Sequence, residues 1–130
     1  MRIVRFSPGP NSGLGTDPLF GLLEDDGTNI SVIAGDPIYA GVSKTGAVTQ
    51  LSDVRLLAPV IPRSKVVCIG KNYADHAAEM GSDVPKEPVI FLKPNTSVIG
   101  PNDFIQWPRM SERVDFEGEL AIVISRICKD

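Results

Sequence analysis

The sequence predicts a mainly β chain with short helices, an α+β protein, and three observations carry that expectation. Apolar residues come in short β-branched runs, such as Val66-Val67-Cys68-Ile69 and Leu120-Ala121-Ile122-Val123-Ile124, which suit strands. Turn signals separate the runs, among them Asp25-Asp26-Gly27 and Lys44-Thr45-Gly46. The segment from Asn72 to Met80 carries a helix start and a following glycine, Gly81. With 130 residues, 42% of them hydrophobic and 22% charged, the chain is long enough to bury a core and has the balance of an ordinary globular domain.

From the N-terminus, Met1 to Phe6 alternates as a strand does and lacks the pattern of a signal peptide. Asn11-Ser12-Gly13-Leu14-Gly15 reads as a loop, without the strand-then-helix setting of a dinucleotide fingerprint. Leu19 to Leu23 and Asn29 to Ile33 form a hairpin around Asp25-Asp26-Gly27, since Asp-Gly supplies the positive φ of such turns. Val42 to Val48 contains the turn Lys44-Thr45-Gly46. Leu56 to Pro62 reads as a linker, because prolines interrupt an extended apolar stretch. This divides the chain into a small β-rich domain, residues 1–60, and a second unit, residues 61–130.

The second unit opens with a buried strand, Lys65 to Gly70. A short helix from an Asn72 N-cap to Met80 follows, with Asp75 at its third position favoured by the helix dipole. An extended segment, Val89 to Leu92, leads into Lys93-Pro94-Asn95-Thr96. After Gly100-Pro101-Asn102-Asp103 the sequence predicts a strand at Phe104 to Trp107 and a buried strand through Glu117 and Leu120 to Ile124.

A net charge of −3 without a dense basic stretch argues against a nucleic-acid or anionic-membrane surface, so a small molecule or another subunit is the expected partner. No apolar run approaches the roughly twenty residues of a membrane helix. Cys68 and Cys128 lie sixty positions apart in apolar runs, without the close spacing of zinc ligands or a redox pair. They read as buried free thiols of a cytoplasmic protein.

Chemistry concentrates in two places. Asp115-Phe116-Glu117-Gly118-Glu119 sets three carboxylates in five residues. On a strand all three would share a face, and a hard divalent cation is the simplest neutraliser. A solvated sheet edge is the plainer account of the same pattern. On the helix, His76 and Glu79 are three apart and share a face. A carboxylate beside an imidazole orients the ring, and the pair can take and return a proton near neutral pH. A surface ion pair is the bland alternative. Lys71 and Lys93 are the nearest cations for an anionic substrate, although solvated lysines are the default. Tyr73 joins them as a substrate-binding candidate, against a packing role.

Three ordered blocks then carry a resemblance: Val67-Cys68-Ile69-Gly70-Lys71-Asn72-Tyr73-Ala74-Asp75-His76, Phe91-Leu92-Lys93-Pro94-Asn95-Thr96-Ser97, and Val114-Asp115-Phe116-Glu117-Gly118-Glu119-Leu120. Together they resemble the fumarylacetoacetate hydrolase family, in particular its bacterial branch of 2-hydroxyhepta-2,4-diene-1,7-dioate isomerases. The resemblance implies a mixed β-sandwich or roll begun by residues 61–130 and a small N-terminal domain before it. It implies Mg²⁺ or Mn²⁺ on Glu117 and Glu119, with Asp115 supporting, and His76 with Glu79 as a proton-transfer dyad on a lid helix. The implied substrates are 2-oxo and 1,3-diketo acids reacting through a metal-bound enolate, first a 2-oxo dicarboxylate undergoing isomerisation or decarboxylation, then acylpyruvate hydrolysis or oxaloacetate decarboxylation. A third ligand, an aspartate, would lie beyond residue 130. The chain is therefore expected to be the N-terminal portion of a longer, homodimeric enzyme, truncated, cleaved or completed by a second polypeptide. The rival from another class is a non-catalytic β-rich binding or assembly module.

Overall fold

The computed structural model describes residues 1–129 and divides into two units, Met1–Pro59 with the segment from Gly100 onward, and Val60–Ile99. The first is built on five antiparallel strands, β1 (Arg2–Pro8), β2 (Leu19–Leu23), β3 (Asn29–Ile33), β4 (Lys44–Gln50) and β5 (Val54–Leu57), in the order β4-β3-β2-β1-β5. The first four make a meander, and β5 pairs with the other side of β1, Arg5 opposite Leu57 and Pro8 opposite Val54. Only the turn Leu51–Asp53 joins β4 to β5, although these are the two edges of the sheet. Four residues of chain reach at most about 14 Å, whereas flat strands about 4.8 Å apart would separate the edges by about 19 Å. The sheet must therefore curl, and Phe6, Ile30 and Val32 are buried within it against Val4, Leu14, Leu19, Leu23, Leu51 and Leu56.

The expected hairpin is β2–β3, with Gly27 at φ 71. Lys44-Thr45-Gly46, expected as a turn, lies inside β4. There the pairing steps from Ser31↔Val48 to Ile33↔Lys44, so the positive φ of Gly46 (91) serves an irregularity within the strand instead of a reversal. The Thr45 hydroxyl donates to the Val32 carbonyl at the same place. A short helix α1 (Pro37–Ala40) was not expected, yet its signal is present: Asp36 caps it by accepting from the Ile38 N–H, and proline stands in its first turn. Leu56 and Leu57, read as linker, pair in β5, because the prolines that break the strand pattern start only at Pro59.

In the second unit β6 (Lys65–Gly70) and β7 (Val89–Pro94) form an antiparallel pair, Lys65 opposite Pro94 and Gly70 opposite Val89, with α2 (Ala74–Glu79) between them in the chain. The N-cap is Tyr73, not Asn72. Lys71 adopts a left-handed φ of 54, so the chain is still turning out of β6 at Asn72. Gly81 (φ 68) closes the helix, with the Ser82 N–H reaching back to the Ala77 carbonyl and the Gly81 N–H to Ala78. The pair is not a buried sheet, since β6 is partly buried at best and β7 is exposed along its length. Cys68 is half-buried and Cys128 exposed, so neither is the buried thiol expected.

Residues 104–129 contain no strand. The strands expected at Phe104 to Trp107 and through Glu117 to Ile124 are absent from the described structure, and Phe116, Leu120 and Ile122 are 95%, 83% and 80% exposed. A strand needs a neighbour to take its alternate N–H and C=O groups. Among the described residues no strand of either sheet forms a ladder with this run.

Candidate functional site

The turn from β6 into α2 collects the first group of predicted residues. Lys71, half-buried, occupies the left-handed position directly after the strand, and exposed Tyr73 supplies the carbonyl that accepts from the Ala77 N–H. One helical turn on, His76 Nδ1 stands 3.9 Å from Glu79 Oε2, an ion-pair distance too long for a hydrogen bond. The His76 side chain is 36% exposed and that of Glu79 79%, so both can meet a solute. The predicted pair therefore shares one helix face, set by the backbone spacing of residues three apart.

Lys93 sits near the end of β7, opposite Val66, with its ammonium 5.7 Å from the centre of the Phe91 ring on the same strand. That cation–π contact directs the side chain along the sheet surface.

Glu117 and Glu119 lie on the exposed, irregular segment, and Asp115 is engaged by Arg113, whose Nε is 2.7 Å from Oδ2. The common strand face that would align the three carboxylates is not formed. Carboxylate oxygens are the hard donors that Mg²⁺ or Mn²⁺ takes, so Glu117 and Glu119 fit such an ion in kind. Among the described residues no group of three or more His, Cys, Asp or Glu side chains is placed to hold a metal. The described residues thus offer two carboxylates of the right chemistry and no complete shell.

One cluster was missed by sequence reasoning. Asp103 accepts from Arg55 on β5 through Oδ1 and from the Gly100 N–H through Oδ2, both at 2.8 Å. The Gly100 N–H and the Arg55 guanidinium hold its carboxyl below the usual carboxylate range. The turn residues at 100–103 were legible, but the partner forty-eight positions away was not. An open hollow of about 670 Å³ between β5 and this turn is lined by Arg55, Leu56 and Phe104 among others, and by none of the predicted site residues.

A curled β-rich unit, a strand–turn–helix carrying a His–Glu pair, and a segment with paired glutamates follow one another along the chain. The fumarylacetoacetate (FAA) hydrolase C-terminal family matches residues 65–130, and the Rv2993c-like, N-terminal family matches residues 1–59. This chain belongs to the fumarylacetoacetate hydrolase family. The crystal structure of 5-carboxymethyl-2-hydroxymuconate delta-isomerase from Mycobacterium smegmatis is 41% identical, with a TM-score of 0.67 over 86% of this chain and 40% of that one. That of 2-hydroxyhepta-2,4-diene-1,7-dioate isomerase from Mycobacterium marinum is 38% identical, with a TM-score of 0.52 over 76% and 34%. Mitochondrial oxaloacetate tautomerase fahd2 of Xenopus laevis is 36% identical over 97% of this chain and 44% of its own length. The curated relatives are longer: the chain spans between 30% and 49% of them. Among the described residues no helix is long and apolar enough to cross a membrane.

Proposed function

We propose that this chain supplies the N-terminal domain and the first part of the catalytic domain, residues 1–60 and 61–130, of a divalent-metal-dependent enzyme that isomerises or decarboxylates a 2-oxo dicarboxylate. The observation that carries the reading is the His76–Glu79 pair, 3.9 Å apart on one face of α2. In the proposed reaction His76 takes a proton from the carbon next to the 2-oxo group, the C–H electrons move toward the oxygen, and His76 returns the proton at a different atom. Glu79 orients the ring and steadies the imidazolium while it carries the proton. Lys71, Lys93 and Tyr73 hold the substrate carboxylates and exclude wrong poses. Glu117 and Glu119 would hold Mg²⁺ or Mn²⁺, which supplies Lewis-acid stabilisation of the negative charge developing on oxygen. Two carboxylates leave most of an octahedral shell to other donors, so the remaining ligands come from outside these residues, in a homodimeric cytoplasmic enzyme.

A second reading, tautomerisation or decarboxylation of oxaloacetate, is favoured by the similarity to the Xenopus tautomerase along 97% of the chain. Tautomerisation needs the same proton transfer, whereas in decarboxylation the C–C bond to the carboxylate breaks, carbon dioxide leaves, its bonding electrons form the enolate, and His76 delivers a proton to the carbon left behind. Acylpyruvate hydrolysis would add an activated water.

The test uses the protein purified from its native source, assayed with Mg²⁺ or EDTA for loss of the dienedioate chromophore and of enol-oxaloacetate absorbance. His76→Asn is expected to lower kcat about 10²- to 10⁴-fold, and Glu117→Gln to abolish metal dependence. No turnover above the uncatalysed rate in the unsubstituted protein, with association to a partner intact in both variants, would instead establish the non-catalytic module. Whichever substrate turns over decides between the two readings.

A further inference from the structure

We propose that Asp103, through Arg55 and Gly100, is a positioning residue: its carboxylate clasps together the point where the chain leaves the N-terminal sheet and the point where it comes back. Everything between those points carries Lys71, His76, Glu79 and Lys93, and everything after them carries Glu117 and Glu119. This rests on the functional reading above.

The clasp is built from both sides of the gap. Asp103 Oδ1 takes the Arg55 guanidinium of β5 at 2.8 Å, and Oδ2 takes the Gly100 N–H at 2.8 Å. The Asp103 N–H in turn reaches the Gly100 carbonyl at 3.2 Å, and Asn102 accepts a left-handed φ of 64 to close the turn. Gly100 itself lies against the exit strand, where a Cβ would fall 3.0 Å from the Ala58 N and 3.1 Å from the Leu57 carbonyl carbon. Exit and return are thus in backbone contact, and a Cβ at Gly100 would press the two apart by a few tenths of an ångström. As a stability element an exposed Arg–Asp pair is worth little. Its consequence is placement: the two segments that bear the reacting groups start from one fixed origin, and errors of about 1 Å in such placement cost on the order of a hundredfold in rate.

The test compares wild type with Asp103→Ala, Asp103→Asn and Gly100→Ala in the full-length protein, measuring kcat, KM, melting temperature and Mg²⁺ affinity by calorimetry. The expected result for Asp103→Ala and Gly100→Ala is a kcat lower by about tenfold to a hundredfold, with weaker Mg²⁺ binding, little change in KM and a nearly unchanged melting temperature. Asp103→Asn keeps one acceptor oxygen and recovers most of the loss. If Asp103→Ala does not fold, Arg55→Gln and Gly100→Ala decide by the same criteria. An active wild type whose variants keep full kcat and Mg²⁺ affinity overturns the clasp alone. A wild type without Mg²⁺-dependent turnover overturns the functional reading and the clasp's role with it.

Discussion

Asp26 performs at the β2–β3 hairpin what a backbone turn alone would leave undone. Its carboxylate accepts from the Thr28 and Asn29 N–H groups, at 2.8 and 2.9 Å, and from the Asn29 side chain at 2.7 Å. These bonds, the Asn29 N–H first, hold its carboxyl down at about 2. A depressed carboxyl contributes stability that is present above its unfolded value, near 4, and lost as pH falls through the folded one. Asp26→Ala should therefore lower the melting temperature at pH 7, while the gap to wild type narrows between about pH 4 and pH 2. Thermal melts across that range check it, and a gap independent of pH would sink it. The same locality explains why this residue and the His76–Glu79 pair were readable from sequence: each depends on partners within three positions. Arg55–Asp103 depends on a partner that no local pattern names.

At the scale of elements, what could be read was what turns and short-range periodicity decide. The hairpin β2–β3, strand β6 and the Gly81 helix stop fall where the sequence places them. Other elements depend on what lies beside them. Lys44-Thr45-Gly46 has turn chemistry, but pairing with β3 draws it into a strand. Packing inside the curl sets the tolerance of β2: Gly21 faces the core, and a Cβ there would collide with Ile30 Cγ2 and approach the Ser31 carbonyl oxygen at 3.0 Å and the Phe6 ring at 3.2 Å. Ile30 and Phe6 are fully buried and Ser31 is part of the β3 backbone, so none yields freely. Gly21→Ala should destabilise the sheet by about 1–3 kcal/mol, read as a lower urea midpoint at unchanged slope. Phe6→Ala, which empties the largest buried side chain, should cost about 3–5 kcal/mol.

For the molecule as a whole, the decisive fact is how much apolar surface the described residues leave in water. Ile90 and Leu92 of β7 are 63% and 59% exposed, and Leu120, Ile122 and Ile124 are 83%, 80% and 69% exposed. Isolated exposed hydrophobics are ordinary, but contiguous exposed apolar runs are templates for association. The relatives are about twice as long, and the buried-strand pattern read at 120–124 is one that no strand covers among the described residues. In a strand Leu120, Ile122 and Ile124 share one face and Glu117 and Glu119 lie on the other, so the apolar face can be altered without touching the carboxylates. Residues 1–130 alone should therefore elute well above their 14.0 kDa mass and bind a hydrophobic dye. Ile122→Asp with Ile124→Asp should return them toward the monomer mass while the N-terminal sheet keeps its melting temperature. In the longer enzyme proposed above the same pair of substitutions should be severely destabilising, because there each would place a charge where the apolar pattern calls for burial. Light scattering of the short chain and thermal melts of the long one separate the cases. A monomeric short chain with no dye binding, or a long chain indifferent to both aspartates, would show that this run is a solvated surface.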